Sequence, residues 1–253
     1  MRGKLRSWLV LCGAIVLSSA VQAQNCAAVQ GQTWQALAGA QSPDSAVQVI
    51  AFLPNEMWIR ACDSITWTFP TPERHTATFL RPGQERPPFS VGCPGTTPSL
   101  LSSFDNLSCV NSGPVTDVGA TYTVKFPKPG NYRLVCLVHA NMTGTIHVLD
   151  PALEPPHDQE FYSLLAARQA RELLMDHDGA PRRLREDAHG ESGEASLHAH
   201  HHMVVTGTGE AVSTAGGINS VSVMRFMQPS ITIRAGETVE WDTLDVSGHT
   251  ITF

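Results

Sequence analysis

Cys136, His139 and Met142 stand in the order C-x2-H-x2-M inside residues 131–149, NYRLVCLVHANMTGTIHVL. A thiolate, an imidazole and a thioether so close together form a soft donor set, which suits copper and not calcium or magnesium. A blue-copper electron-transfer centre takes two His and one Cys in a trigonal plane with a weak axial Met. Three of those four ligands are in this segment. His75 is the candidate for the fourth, because it opens the alternating segment His75-Thr76-Ala77-Thr78-Phe79 shortly after another such segment, SITWTF at 64–69.

Strands must hold these residues in place. The Cys is entered from an alternating run, with Tyr132, Leu134 and Cys136 on one face and Arg133 and Val135 on the other. From Thr33 onward short alternating segments are punctuated by Pro and Gly, the pattern of a β-sandwich. Strands are expected at 47–52, 64–69, 76–80, 122–126, 132–136 and 145–149, with Ile65, Trp67, Phe79, Tyr122, Val124, Phe126, Leu134, Ile146 and Val148 facing the core. The block 24–150 is long enough for one independent hydrophobic core.

The stretches D-S-I-T-W-T-F with H-T-A-T-F, and F-P-K-P-G-N-Y-R-L-V-C-L-V-H-A-N-M-T-G-T-I-H-V, resemble the cupredoxins of plastocyanin and amicyanin type. The likeness spans residues 46–149, and the short step from His139 to Met142 is similar to amicyanin's. It implies an all-β Greek-key sandwich with one type 1 copper held by His75, Cys136, His139 and Met142. It also implies a carrier of single electrons that meets a redox protein partner at an apolar edge, here Leu137, Val138 and Ala140. No small-molecule substrate is indicated. Two-domain copper oxidases and nitrite reductases, which also repeat cupredoxin units, place a His directly beside the copper Cys. The neighbours here are Val135 and Leu137, so a carrier suits the chain better than an enzyme. Two alternatives remain open: a copper-binding or scavenging protein, and a fragment of a two-domain copper oxidoreductase.

Residues 1–23 carry Arg2, Lys4 and Arg6, an apolar run and Val21-Gln22-Ala23, which reads as a secretory signal peptide cut before Gln24. The protein is accordingly expected to be periplasmic or secreted. The apolar run is too short for a membrane span. Without the three leader cations, 14 basic residues face 23 acidic ones, a net charge near −9. That balance argues against nucleic acid or an anionic membrane as partner and suits a basic protein. Five cysteines remain after cleavage, and an odd count asks for one thiol with a separate task, which Cys136 has. Cys93 and Cys109 lie in one Gly-, Pro- and Ser-rich loop region and are expected to pair, leaving Cys26 with Cys62. A bridge closing a loop of that size stabilises by roughly 3 kcal/mol in the chain-entropy account. Residues 81–114 form a long irregular excursion whose role the sequence leaves blank.

Residues 151–202 read as a linker, helical over 158–175 and then charged and His-rich, with His198, His200, His201 and His202 as a possible auxiliary metal site. Residues 203–253 repeat what came before. Residues 47–79 align without a gap onto 221–253 at an offset of 174, with eleven identities in thirty-three positions, among them Trp67/Trp241, Arg60/Arg234 and His75/His249. The segment is expected to be the N-terminal part of a second, truncated cupredoxin domain, with Val239, Trp241, Ile251 and Phe253 lacking an opposing sheet. Its only ligand in this chain is His249, and one imidazole without a thiolate cannot make a blue site. One type 1 copper per chain as written is the expected count, read from EPR of the blue signal and not from total metal; two blue centres per chain would overturn it.

Overall fold

The computed structural model describes residues 26, 30–93, 101–175, 201–244 and 250–253. The signal segment, His198, His200 and His249 lie outside the described residues. Thirteen strands and one helix are present among the described residues. The strands are β1 (Thr33–Gln41), β2 (Val47–Leu53), β3 (Glu56–Arg60), β4 (Ser64–Phe69), β5 (Thr78–Phe79), β6 (Leu101–Ser103), β7 (Val110–Asn111), β8 (Ala120–Lys125), β9 (Gly130–Val135), β10 (Thr143–Leu149), β11 (His201–Ser213), β12 (Ile218–Val223) and β13 (Thr238–Leu244), and the helix is α1 (Gln159–Met175). One sheet runs β13-β11-β12-β2-β1-β4-β8-β6 and the other β3-β10-β9-β5-β7.

The two sheets close over one core, as expected of a β-sandwich. Ile65, Trp67, Phe79, Tyr122, Val124, Phe126, Leu134, Ile146 and Val148 are all buried in it. They come from facing sheets because alternate residues of each strand point to one side. The buried carboxylate of Asp63 fastens the start of the sandwich, accepting from the Gln32 and Arg60 backbone N–H groups at 2.7 and 3.0 Å and from Trp34 Nε1 at 2.9 Å. Three donors meet the need of a charge taken out of water. Beside it, the Cys26–Cys62 disulfide ties down the chain before β1.

β2 is buried along its whole length. Its inward side chains, Ile50 and Phe52, enter the main core, while Val49, Ala51 and Leu53 face outward. Those three are covered by α1, through Ala166 and Leu173. The helix expected over this stretch is present, and it also packs as a layer on the outer face of β2. Tyr162, Ala166 and Leu173 recur at helical spacing and form the buried stripe. The hydroxyl of Tyr162 accepts from the Trp58 N–H at 2.8 Å and donates to the Trp58 carbonyl at 3.1 Å. Asp158 caps the helix, accepting from the Phe161 N–H at 2.9 Å.

In the last segment β11 pairs antiparallel with β12 and parallel with β13, the same two pairings that β1 makes with β2 and β4. β12 then joins β2 antiparallel, with Val47 opposite Val223, Gln48 opposite Ser222 and Val49 opposite Val221. The 174-residue offset interchanges these partners, so the equivalent strands meet about a local two-fold axis between Gln48 and Ser222. The turn between β11 and β12 rests on the start of β10. There Thr143 Oγ1 accepts from the Ile218 N–H at 2.8 Å, and Thr145 Oγ1 donates to the Gly216 carbonyl at 2.8 Å. Val239 and Trp241 are half-buried, and Ile251 and Phe253 are exposed.

Replacing Tyr162 by Ala removes a ring buried in the main core together with both bonds to Trp58. We expect Tyr162→Ala to lower unfolding free energy by about 3–5 kcal/mol, measured by denaturant titration of the metal-free protein. A loss within about 0.5 kcal/mol would mean that the helix is only tethered.

Candidate metal centre

The centre forms where β9 ends and the chain turns back into β10. The Cys136 N–H donates to the Met142 carbonyl at 3.0 Å and the Met142 N–H to the His139 carbonyl at 3.3 Å, which closes the 136–142 loop on itself. His75 arrives from the loop before β5, fixed by two backbone bonds with Val115 of 3.2 and 2.9 Å. The ligand atoms of His75, Cys136 and His139 lie within 4.8 Å of one another. His75 and Cys136 are fully buried, and His139 is partly so. Met142 is fully buried in the main core, on the same loop.

Neither ring nitrogen of the buried His75 has a hydrogen-bond partner. An orphaned buried imidazole costs desolvation free energy that nothing in the protein repays. Its neighbour is the Cys136 sulfur, so a soft metal ion bound between them fits the donor set. The sulfur is set up to be an anion. It faces the Thr76 N–H at 3.4 Å, the His139 N–H at 3.4 Å and His139 Nδ1 at 3.7 Å. Burial on its own would raise the thiol; the neighbouring imidazoles of His139 and His75 outweigh it and bring Cys136 down to about 5. Burial likewise works against the His139 cation, yet its bonds to Cys136 and Glu73 lift it to about 9.

Of the residues around these side chains, Thr76 lies in the H-T-A-T-F stretch, and Glu73 and Arg86 have no motif to mark them. Thr76 Oγ1 accepts from the Leu137 N–H at 2.7 Å and so links the two ligand-bearing segments. Arg86 donates from Nε at 3.0 Å and from its terminal nitrogen at 2.8 Å to the Cys136 carbonyl. The Glu73 carboxylate lies 3.3 Å from His139 Nε2. Ser112 accepts from the Ala77 N–H at 3.0 Å, and Asn111 accepts from the Thr78 hydroxyl at 3.0 Å. The 81–114 excursion thus grips both sides of the centre, and the Cys93–Cys109 disulfide closes it. Cys136 is the free thiol among the described residues.

Of the expected docking edge, Ala140 is exposed and Val138 is half-buried. Leu137 is buried against Leu80, Val135 and the Cys93–Cys109 disulfide, so it belongs to the packing and not to the surface. It follows Cys136 into the space beneath the excursion. His202 lies on β11 with Nε2 2.9 Å from Glu237, apart from the metal-ligand group, and nothing is described of the His201 side chain.

No family profile matches the chain, and no curated protein matches it. Among solved structures it is similar to a purple cupredoxin from Nitrosopumilus maritimus, with 15% identity and a TM-score of 0.31 over 46% of this chain and 99% of that one. It is also similar to amicyanin from Paracoccus versutus, at 17% identity and a TM-score of 0.31 over 49% of this chain and 88% of that one. Plastocyanin from Dryopteris crassirhizoma is similar at 17% identity, with a TM-score of 0.32 over 46% of this chain and 99% of that one.

Gly39 on β1 holds a positive φ of 89°, and a Cβ there would stand 2.6 Å from His75 Nε2. Both the backbone and the imidazole therefore exclude a side chain. Gly39→Ala is expected to cost about 1–3 kcal/mol in denaturant unfolding of the metal-free protein and to displace the His75 ring, visible as shifted His75 ring resonances. A variant with unchanged stability and resonances would contradict the close approach.

Proposed function

We propose that residues 24–150 are an exported type 1 copper protein that carries single electrons between redox partners. The observation that carries this reading is the buried, unpartnered His75 imidazole beside the buried Cys136 sulfur and the His139 ring. His75, Cys136 and His139 would hold the metal, with Met142 as the weak axial donor. Copper held this way supplies a one-electron couple, because thiolate and thioether favour copper(I) while imidazole suits both oxidation states.

The protein's own part is to keep the ligands in place in both states. N–H groups of Thr76 and His139 point at the sulfur, and Thr76 and Arg86 fix the loop that carries it. The main core and the 81–114 excursion keep water from Cys136 and His75. The partly exposed His139, next to Ala140, is the point at which the centre comes nearest to solvent and to a partner. Two disulfides suit an oxidising compartment, and no described helix is long and apolar enough to cross a membrane. The repeated strand pairings support reading 203–253 as the start of a second unit of the same kind.

Copper(II) added to the purified protein should give an intense visible absorption from thiolate charge transfer and the EPR signal of a blue site. Cys136→Ser should abolish the colour. Met142→Leu should keep it and raise the reduction potential, because losing the axial sulfur disfavours copper(II) more than copper(I). A colourless wild-type copper(II) protein would refute the reading, and an unchanged potential in Met142→Leu would remove Met142 from the ligand set.

A further inference from the structure

Two ionic side chains touch the ligand loop, and neither is needed to hold a metal. Glu73 presents a carboxylate 3.3 Å from His139 Nε2, while Nδ1 of the same ring is the nitrogen that faces the Cys136 sulfur at 3.7 Å. Arg86 clamps the Cys136 carbonyl with two donors at 3.0 and 2.8 Å. One is an anion behind one ligand, and the other is a cation on the backbone of another. Both are partly buried, where charges are screened less than at an open surface.

We propose that Glu73 and Arg86 are positioning residues that set the reduction potential of the centre in opposite directions, with Glu73 favouring copper(II) through His139 and Arg86 favouring copper(I) through the Cys136 carbonyl. The proposal rests on the copper reading above and adds to it. Copper(II) carries one positive charge more than copper(I), so a nearby anion stabilises the oxidised form and a nearby cation the reduced form. Glu73 also fixes the ring. A carboxylate at Nε2 keeps the proton on that nitrogen and leaves the Nδ1 lone pair for the metal. Arg86, which precedes the Cys93–Cys109 disulfide in the 81–114 excursion, brings a guanidinium to the Cys136 carbonyl. Sheet and core alone would leave that carbonyl to water.

The test uses the full chain loaded with copper(II), in the wild type and in Glu73→Gln, Arg86→Gln, Arg86→Lys and the double Gln variant. Glu73→Gln is expected to raise the potential and Arg86→Gln to lower it, each by about a tenfold change in the copper(II)/copper(I) ratio at fixed poise, or about 59 mV for one electron. The double variant should return close to the wild type, and Arg86→Lys, which keeps the charge, should stay close to it. In the metal-free protein, at a pH high enough for the His139 ring to be neutral, nitrogen NMR of His139 should show the Nε2-protonated ring giving way to mixed tautomers in Glu73→Gln. A blue wild type whose potential moves in neither variant, or in the same direction in both, overturns this inference and leaves the copper reading standing. An Arg86→Lys potential as low as that of Arg86→Gln overturns Arg86's part, since its role would then be mechanical. If Arg86→Gln does not fold, Arg86→Lys and Glu73→Gln decide the matter. A wild type that takes up copper(II) without the blue spectrum overturns both readings.

Discussion

A sulfur anion buried away from water is the condition around which this molecule is arranged. Water would solvate Cys136 as a thiolate, but the core of a sandwich does not, and burial alone would hold the proton on. The protein meets that cost with aimed groups. Two backbone N–H groups, from Thr76 and His139, face the sulfur, and two imidazoles lie within 4.8 Å of it. Each of these needs its own support. His75 is held by Val115 and hemmed in by Gly39, and the loop carrying His139 is closed by the backbone bonds of Cys136 and Met142.

From that condition follows the odd shape of the domain. A compact sandwich could supply the strands, but its ligand-bearing segments would end at an open rim. Arg86, Asn111 and Ser112, from the described parts of the 81–114 excursion, form hydrogen bonds with Cys136, Thr78 and Ala77. The disulfide within it reduces the entropy lost on ordering so long a loop. On the far side, α1 covers the outer face of β2, so that strand is buried by the core, by the helix and by a neighbour on each edge.

The seam between the repeated segments obeys a different constraint. β2 has a free hydrogen-bonding edge once β1 is paired, and an open edge invites association. Here the equivalent strand β12 fills it, in a register that sets Val47 opposite Val223 and Val49 opposite Val221, and Val47, Val221 and Val223 pack in one buried cluster. Self-complementary pairing of two like strands is the arrangement expected at a two-fold contact. The turn before β12 reaches Thr143, one residue beyond Met142, so the seam also braces the end of the ligand loop.

Cys136, His139 and Met142 were legible from residue type and spacing because the loop is local: a turn between two strands brings them together whatever the rest does. His75 was legible from strand alternation, the free thiol from an odd cysteine count, and the disulfides from the shared loop region of Cys93 and Cys109, which left Cys26 with Cys62. β1 was not placed, since TWQALAGAQ is mostly Ala, Gln and Gly after Thr33 and Trp34, and its neighbours decide its state. The helix was found, but its docking was not, because Tyr162 and Ala166 look alike on a spacer and on a layer until β2 offers a face. Sequence by itself offered a candidate donor loop and the strand alternation, both of which depend on near neighbours along the chain. Tertiary structure alone decided which atoms surround the sulfur. Glu73, Thr76 and Arg86 act across 50 or more residues of chain and Gly39 across 36, and only the folded distances bring them to the site.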